Sequence, residues 1–152
     1  ERSPEEAGVA SSTLAPGTRI TNNLQPTTNN QKRMRKFRFL EWKVYKDSQE
    51  LFKVILNITK LLPHDFKGSF GDQITRAGLS IILNIAEGSG KTSDKELNRF
   101  FEISLGSCYE VLACADTLKS CSLLQTNIYQ DIFLKIDAIT NQIGGFKKFI
   151  KS

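Results

Sequence analysis

The sequence predicts an all-α fold, an up-down-up-down antiparallel four-helix bundle. Three observations carry that prediction. Apolar residues recur at three- and four-residue intervals through four long segments between Leu40 and Ile150. Short stretches of Gly, Pro, Ser and Asn part the segments, and loops that short join antiparallel neighbours. No segment alternates apolar and polar residues as a half-buried strand would.

In the first helix Val44, Leu51, Ile55, Ile58 and Leu62 form the stripe, Ser48 fills a gap, and Pro63 ends it. The loop PHDFKGS follows, with Ser69 placed to cap a second helix and Asp72 in its first turn. That helix runs from about Phe70 to Glu87, and Gly88 is the expected left-handed C-cap. Ser93 caps the third helix and Glu96 completes a capping box. The third stripe, over Asp94 to Cys121, includes Leu97, Phe101, Leu105, Cys108, Val111, Ala115 and Leu118. The fourth helix begins near Asn127, with Gln130 as box partner, and presents Ile128, Ile132, Ile136, Ile139, Ile143, Phe146 and Ile150. Gly144-Gly145 is its weak point, since two glycines cost about 2 kcal/mol of helix propensity.

The stretch Glu87 to Asp94, EGSGKTSD, contains Gly-Lys-Thr, which suggests a phosphate-cradling loop. That loop needs a first glycine where Ile85 stands, and a preceding strand where the spacing is helical. The segment reads instead as punctuation between two helices.

Ten uncharged residues, AGLSIILNIA, lie between Arg76 and Glu87 in the second helix. Ile74, Gly78, Ile81 and Ile85 share one face, and Leu79, Leu83 and Ala86 another. One face fills the core. The second is either an interface with further copies or part of a wide monomeric core. A third stripe, Gln73, Arg76, Ser80, Asn84 and Glu87, is polar and faces Arg99 and Glu110 on the third helix. It reads as a structural network of Arg–carboxylate pairs and Asn or Ser hydrogen bonds, since no nucleophile–histidine pair accompanies it. No catalytic residue, cofactor or metal is expected. His64 is the only histidine and lies in a loop, and no Glu-x-x-His pair exists for a di-metal bundle.

The net charge of +5 is unevenly placed. Lys32, Arg33, Arg35, Lys36 and Arg38 crowd one short run, and Lys147, Lys148 and Lys151 crowd the C-terminal segment. Such clusters are solvated tails or polyanion-binding arms. Phe37 and Phe39 are interleaved as candidate stacking groups. The three cysteines, Cys108, Cys114 and Cys121, lack Cys-x-x-Cys spacing and fit a reducing cytoplasm. No apolar run is long enough to span a membrane. Residues 1–33 contain no Phe, Tyr or Trp and read as a disordered leader, native or not, with Met34 a candidate native start. The bundle domain is assigned to 34–152.

The motif Gln73-Ile74-Thr75-Arg76-Ala77, Ser80, Asn84-Ile85-Ala86-Glu87-Gly88, Arg99-Phe100, Gly106-Ser107 and Glu110 resembles the signature of the four-helix bundle proteins encoded in 23S rRNA intervening sequences. The upstream FLEWKVYKDSQEL and Pro63 are similar to that family too, so the likeness covers about 37–150. The resemblance implies a ring-shaped homopentamer. The related accessory variability determinants of diversity-generating retroelements imply nucleic-acid binding and a reverse-transcriptase partner. It implies no catalytic residues, and the matched positions carry over as fold and assembly residues. Two functions follow as expectations. One is a non-enzymatic homo-oligomer that binds RNA or another nucleic acid through its basic segments. The other is a protein-recruiting scaffold.

Overall fold

The computed structural model describes residues 36–150. After a 3₁₀ turn at Arg38–Glu41 come four long helices: α1 (Lys43–Leu61), α2 (Asp72–Ser89), α3 (Asp94–Ser120) and α4 (Thr126–Phe149). Around the bundle each helix neighbours its sequence neighbours, and α4 closes onto α1. This is the up-down-up-down arrangement, with no strand among the described residues. The predicted leader and Met34 lie outside the described residues.

The stripes meet in one core. Val44, Leu51 and Ile55 come from α1, Ile74, Ile81 and Ile85 from α2, Phe101, Val111 and Leu118 from α3, and Ile132, Ile139 and Ile143 from α4, all fully buried. Polar groups in this core are satisfied locally: Ser48 Oγ donates to the Val44 carbonyl (2.7 Å), and Ser104 Oγ crosses to the Ile81 carbonyl (3.2 Å).

Helix ends depart from expectation in informative ways. Ser93 does cap α3, its Oγ accepting from the Glu96 amide at 3.2 Å. Ser69 caps nothing: residues 64–71 coil into a short helical turn and a π turn, and Ser69 Oγ donates back to the Phe66 carbonyl (3.4 Å). A continuous coil supplies its own acceptors, so α2 starts without a side-chain cap. Helix α4 starts at Thr126, next to the expected Asn127, but again without the side-chain cap expected there. Gly144 and Gly145 leave it unbroken.

Gly88 is not a left-handed cap. It lies inside α2, which ends at Ser89, and is buried. A Cβ at this position would sit 2.8 Å from Phe100 Cβ and 3.1 Å from Leu97 Cδ1. The glycine is there because α3 passes too close for a side chain. The one left-handed residue among those described is Ser122 (φ 59°), just after α3. There the Leu123 amide reaches the Leu118 carbonyl (2.8 Å) and the Ser122 amide reaches Lys119 (3.0 Å). This is the doubly bonded Schellman ending, with serine in the glycine seat.

Candidate nucleic-acid interface and assembly surface

Four antiparallel helices bring the chain back to the end where it began. The 3₁₀ turn, the α2–α3 hairpin and the last turn of α4 therefore share one end of the bundle. Trp42 organises it. Its ring lies 5.0 Å from Phe146 and 6.3 Å from buried Phe101, which is itself 5.5 Å from Phe146. Arg38 lays its guanidinium 5.3 Å from the Trp42 ring and donates from Nε to the Ser89 carbonyl at 3.1 Å. That carbonyl belongs to the last residue of α2, where a cation also complements the helix dipole.

Of the basic residues assigned from sequence, Lys36, Arg38, Lys147 and Lys148 thus converge. Lys32, Arg33, Arg35 and Lys151 lie outside the described residues. Lys147 is bonded to Glu102 of α3. Lys36 and Lys148 are exposed, and neither makes an ion pair among the described residues. The hairpin adds Lys91, Lys95 and Arg99, which the sequence reading did not assign to this role. Lys91 pairs with Glu87 (3.2 Å) and stands 4.9 Å from the Phe100 ring, with Arg99 6.0 Å from the same ring. Helix count alone could have placed them there. A helix, not a strand, leads into this Gly-Lys-Thr turn.

The polar stripe divides into two local groups. Gln73 donates to Glu110 across the α2–α3 seam, and Arg76 donates to Gln73 Oε1 (3.0 Å). Farther along, Asn84 Nδ2 donates to the Ser80 carbonyl (2.8 Å) and hydroxyl (3.1 Å), and Ser107 Oγ donates to Ser80 Oγ (2.8 Å). The expected Arg–carboxylate pairs are not made. Neither Arg76 nor Arg99 forms an ion pair among the described residues, because Glu110 is engaged by Gln73 and Glu87 by Lys91. Within this seam, Ser104 and Ser107 of α3 were not singled out from the sequence as hydrogen-bonding groups. Small polar residues inside an apolar stripe were their signal.

Leu79 and Leu83 remain 40% and 55% exposed, and Ala86 is half-buried beside them. The Ser80–Ser107 contact sets an antiparallel register that puts Leu83 level with exposed Ile103 of α3. Leu56 of α1 is exposed as well. The second apolar face of α2 is thus left uncovered by the other described residues.

Elsewhere the chemistry is quiet. A groove of about 340 Å³ between α1 and α4 is lined by Val54, Ile58, Leu61, Ile128 and Asp131 among others, and Asp131 is tied to Lys135 (3.1 Å). Burial pushes the Cys108 thiol up to about 12, and burial with nearby Glu110 raises that of Cys114. Burial works to raise the carboxyl of Asp47, but bonds from Lys43 and Gln142 prevail and hold it below its ordinary value. No group of three or more His, Cys, Asp or Glu suited to a metal occurs among the described residues. None of the helices among them is long and apolar enough to cross a membrane.

Residues 40–145 match the model of the 23S rRNA-intervening sequence protein family. The chain belongs to that family. The match begins within the 3₁₀ turn, after Arg38, and closes at Gly145, short of the end of α4, so parts of all four helices fall within it. A crystal structure of a protein of unknown function from the S23 ribosomal protein family of Bacteroides thetaiotaomicron has a similar fold. It superposes with a TM-score of 0.64 at 24% identity, over 69% of this chain and 98% of that one. No curated protein matches. Within this intervening-sequence family member, the signature glycine Gly88 has a packing reason, and Ser80, Asn84, Ser107 and Glu110 a hydrogen-bonding one.

Proposed function

We propose that this protein is a non-enzymatic homo-oligomer, a ring of five, that binds RNA through the basic end of its bundle. The observation that carries the reading is the convergence of Lys36, Arg38 and Lys148 with Lys91, Lys95 and Arg99 on one end. Side-by-side assembly would point several such ends the same way and raise their effective concentration for one polyanion. Phosphate neutralisation supplies the affinity, and nothing in the arrangement reads a base sequence.

Assembly through α2 is supported by its exposed leucines. In a closed ring each copy offers two different surfaces to its neighbours. Helix α2 packs on both α1 and α3, and its exposed Leu79 and Leu83 are free to contribute to such a surface.

Light scattering tests assembly, a single-copy mass of 17.1 kDa counting against it. Leu83→Lys should dissociate the oligomer while leaving helicity intact, since an ammonium at a half-exposed position need not be buried within one copy. For binding, a salt series on single-stranded RNA should give a slope of about −0.7 per phosphate contacted. Replacing Lys36, Arg38 and Lys148 by Gln should flatten it. If no nucleic acid binds even at low salt, a protein-recruiting scaffold, for example a reverse-transcriptase accessory subunit, becomes the better reading.

A further inference from the structure

The basic end also carries exposed aromatic rings, and they indicate which form of nucleic acid it takes. Phe149, the last residue of α4, is 87% exposed, and Phe37 beside the 3₁₀ turn is 51% exposed. Their neighbours are used internally: Phe146 packs on Trp42, and Phe39 meets Tyr45 edge-on at 4.8 Å. A phenylalanine left in water forgoes a large apolar gain that its own fold could have taken.

Cations lie close to the Phe37 ring in space and to Phe149 in sequence. The Lys36 ammonium is 5.8 Å from the Phe37 ring centroid, and Lys147 and Lys148 precede Phe149 in the chain. Four of the five cation–π contacts among the described residues lie at this end, Lys119 over Tyr129 being the exception. The exposed apolar residues along the side of α2 are aliphatic, as suits helix-to-helix packing: Leu79, Leu83 and, from α3, Ile103. Covering the end rings with an apolar protein surface would mean burying Lys36 and Lys148, which make no ion pair among the described residues, and that is costly. A polyanion with flat apolar faces satisfies both demands at once.

We infer that Phe37 and Phe149 are stacking platforms for unpaired bases, so that the ligand of this end is single-stranded nucleic acid. In a duplex each base face is already covered by its neighbour, and an exposed ring gains nothing from it. In a single strand the bases stack on aromatic side chains while Lys and Arg follow the phosphates, a mode that tolerates any sequence. The inference rests on the reading that the basic end binds nucleic acid.

The test uses the full chain and fluorescence anisotropy with three labelled probes of equal length. These are oligouridine, the same sugar–phosphate backbone without bases, and a blunt RNA duplex. Oligouridine should bind most tightly. Phe149→Leu and Phe37→Leu, separately and together, should each weaken it roughly tenfold. They should leave the abasic strand and the salt slope unchanged, because no phosphate contact is lost. Lys148→Gln should instead weaken all three probes. Circular dichroism checks that the leucine variants keep their helicity, and Phe149→Leu at the last residue of a helix cannot unfold the core. Equal binding of all three probes, or leucine variants as tight as the parent, overturns the inference and leaves the phosphate-binding reading standing. No binding of any probe at low salt overturns both. Tighter, Phe149-dependent binding to phosphatidylserine vesicles than to oligouridine also overturns it, assigning the end to a membrane surface.

Discussion

Replacing Gly88 by alanine measures how tightly α2 and α3 are clamped. The new Cβ would lie 2.8 Å from Phe100 Cβ, where ordinary contact begins at 3.4 Å. Leu97 can rotate its methyl away, but the Phe100 Cβ is fixed to the backbone of α3, so the helices themselves must part. Overpacking of this kind costs about 1–3 kcal/mol, against a helix-propensity gain of at most about 1 kcal/mol for replacing glycine. The net expectation is a loss of about 1–2 kcal/mol, or roughly 3–8 °C in melting temperature for a domain of this size. Urea and thermal unfolding followed by circular dichroism at fixed protein concentration measure it. Gly106→Ala is the matched control, since nothing lies within 4 Å of its Cβ, and it should gain about 1 kcal/mol in a single copy. Gly88→Asn separates packing from capping. Asparagine tolerates the left-handed conformation but is larger than alanine, so it should be worse than alanine here. An asparagine variant more stable than the alanine one would refute the clamp.

Three further outcomes follow from the geometry. Ser122→Gly should stabilise the fold by about 0.5–1 kcal/mol in chemical denaturation, because serine holds a left-handed φ of 59° that glycine adopts without strain. Asp47→Asn should cost about 0.5–1 kcal/mol at neutral pH. Since the folded-state pKa of Asp47 is lowered, its contribution is full above the unfolded value near 4 and fades as pH falls through the folded one, so the two proteins should converge in strong acid. With a thiol reagent at neutral pH, exposed Cys121 should react first, Cys114 slowly, and buried Cys108 only on unfolding.

The fold was legible because each helix carries an apolar stripe of the right period, and only burial against three others satisfies all four at once. The Ser93 cap was legible for a local reason, since the Glu96 amide it accepts from is three residues on. The Glu96 carboxylate, however, meets the Ser93 hydroxyl and not its amide as a full box would. Gly88 was misread because a glycine after a helix pattern has two uses, and a choice between them needs the position of α3. The ending at Ser122 was hidden because serine gives no sign of a left-handed turn. For the candidate site, the basic runs were visible, but their convergence is a property of helix count and not of any local motif. Lys91, Lys95 and Arg99 were overlooked because they sit mid-chain among acidic neighbours, and only the hairpin brings them to the same end.

Trp42 is the only tryptophan in the chain, and it stands beneath Arg38 and against Phe146. Excited at the red edge of the ultraviolet, where tyrosine is dark, the molecule therefore emits from one spot. A ligand settling on the basic end changes the field around that indole, whereas events along the α2 leucines or in the α1–α4 groove take place away from it. The unlabelled protein carries its own lamp at the end on which its function is argued to depend, so occupancy there can be followed without attaching anything to the tails.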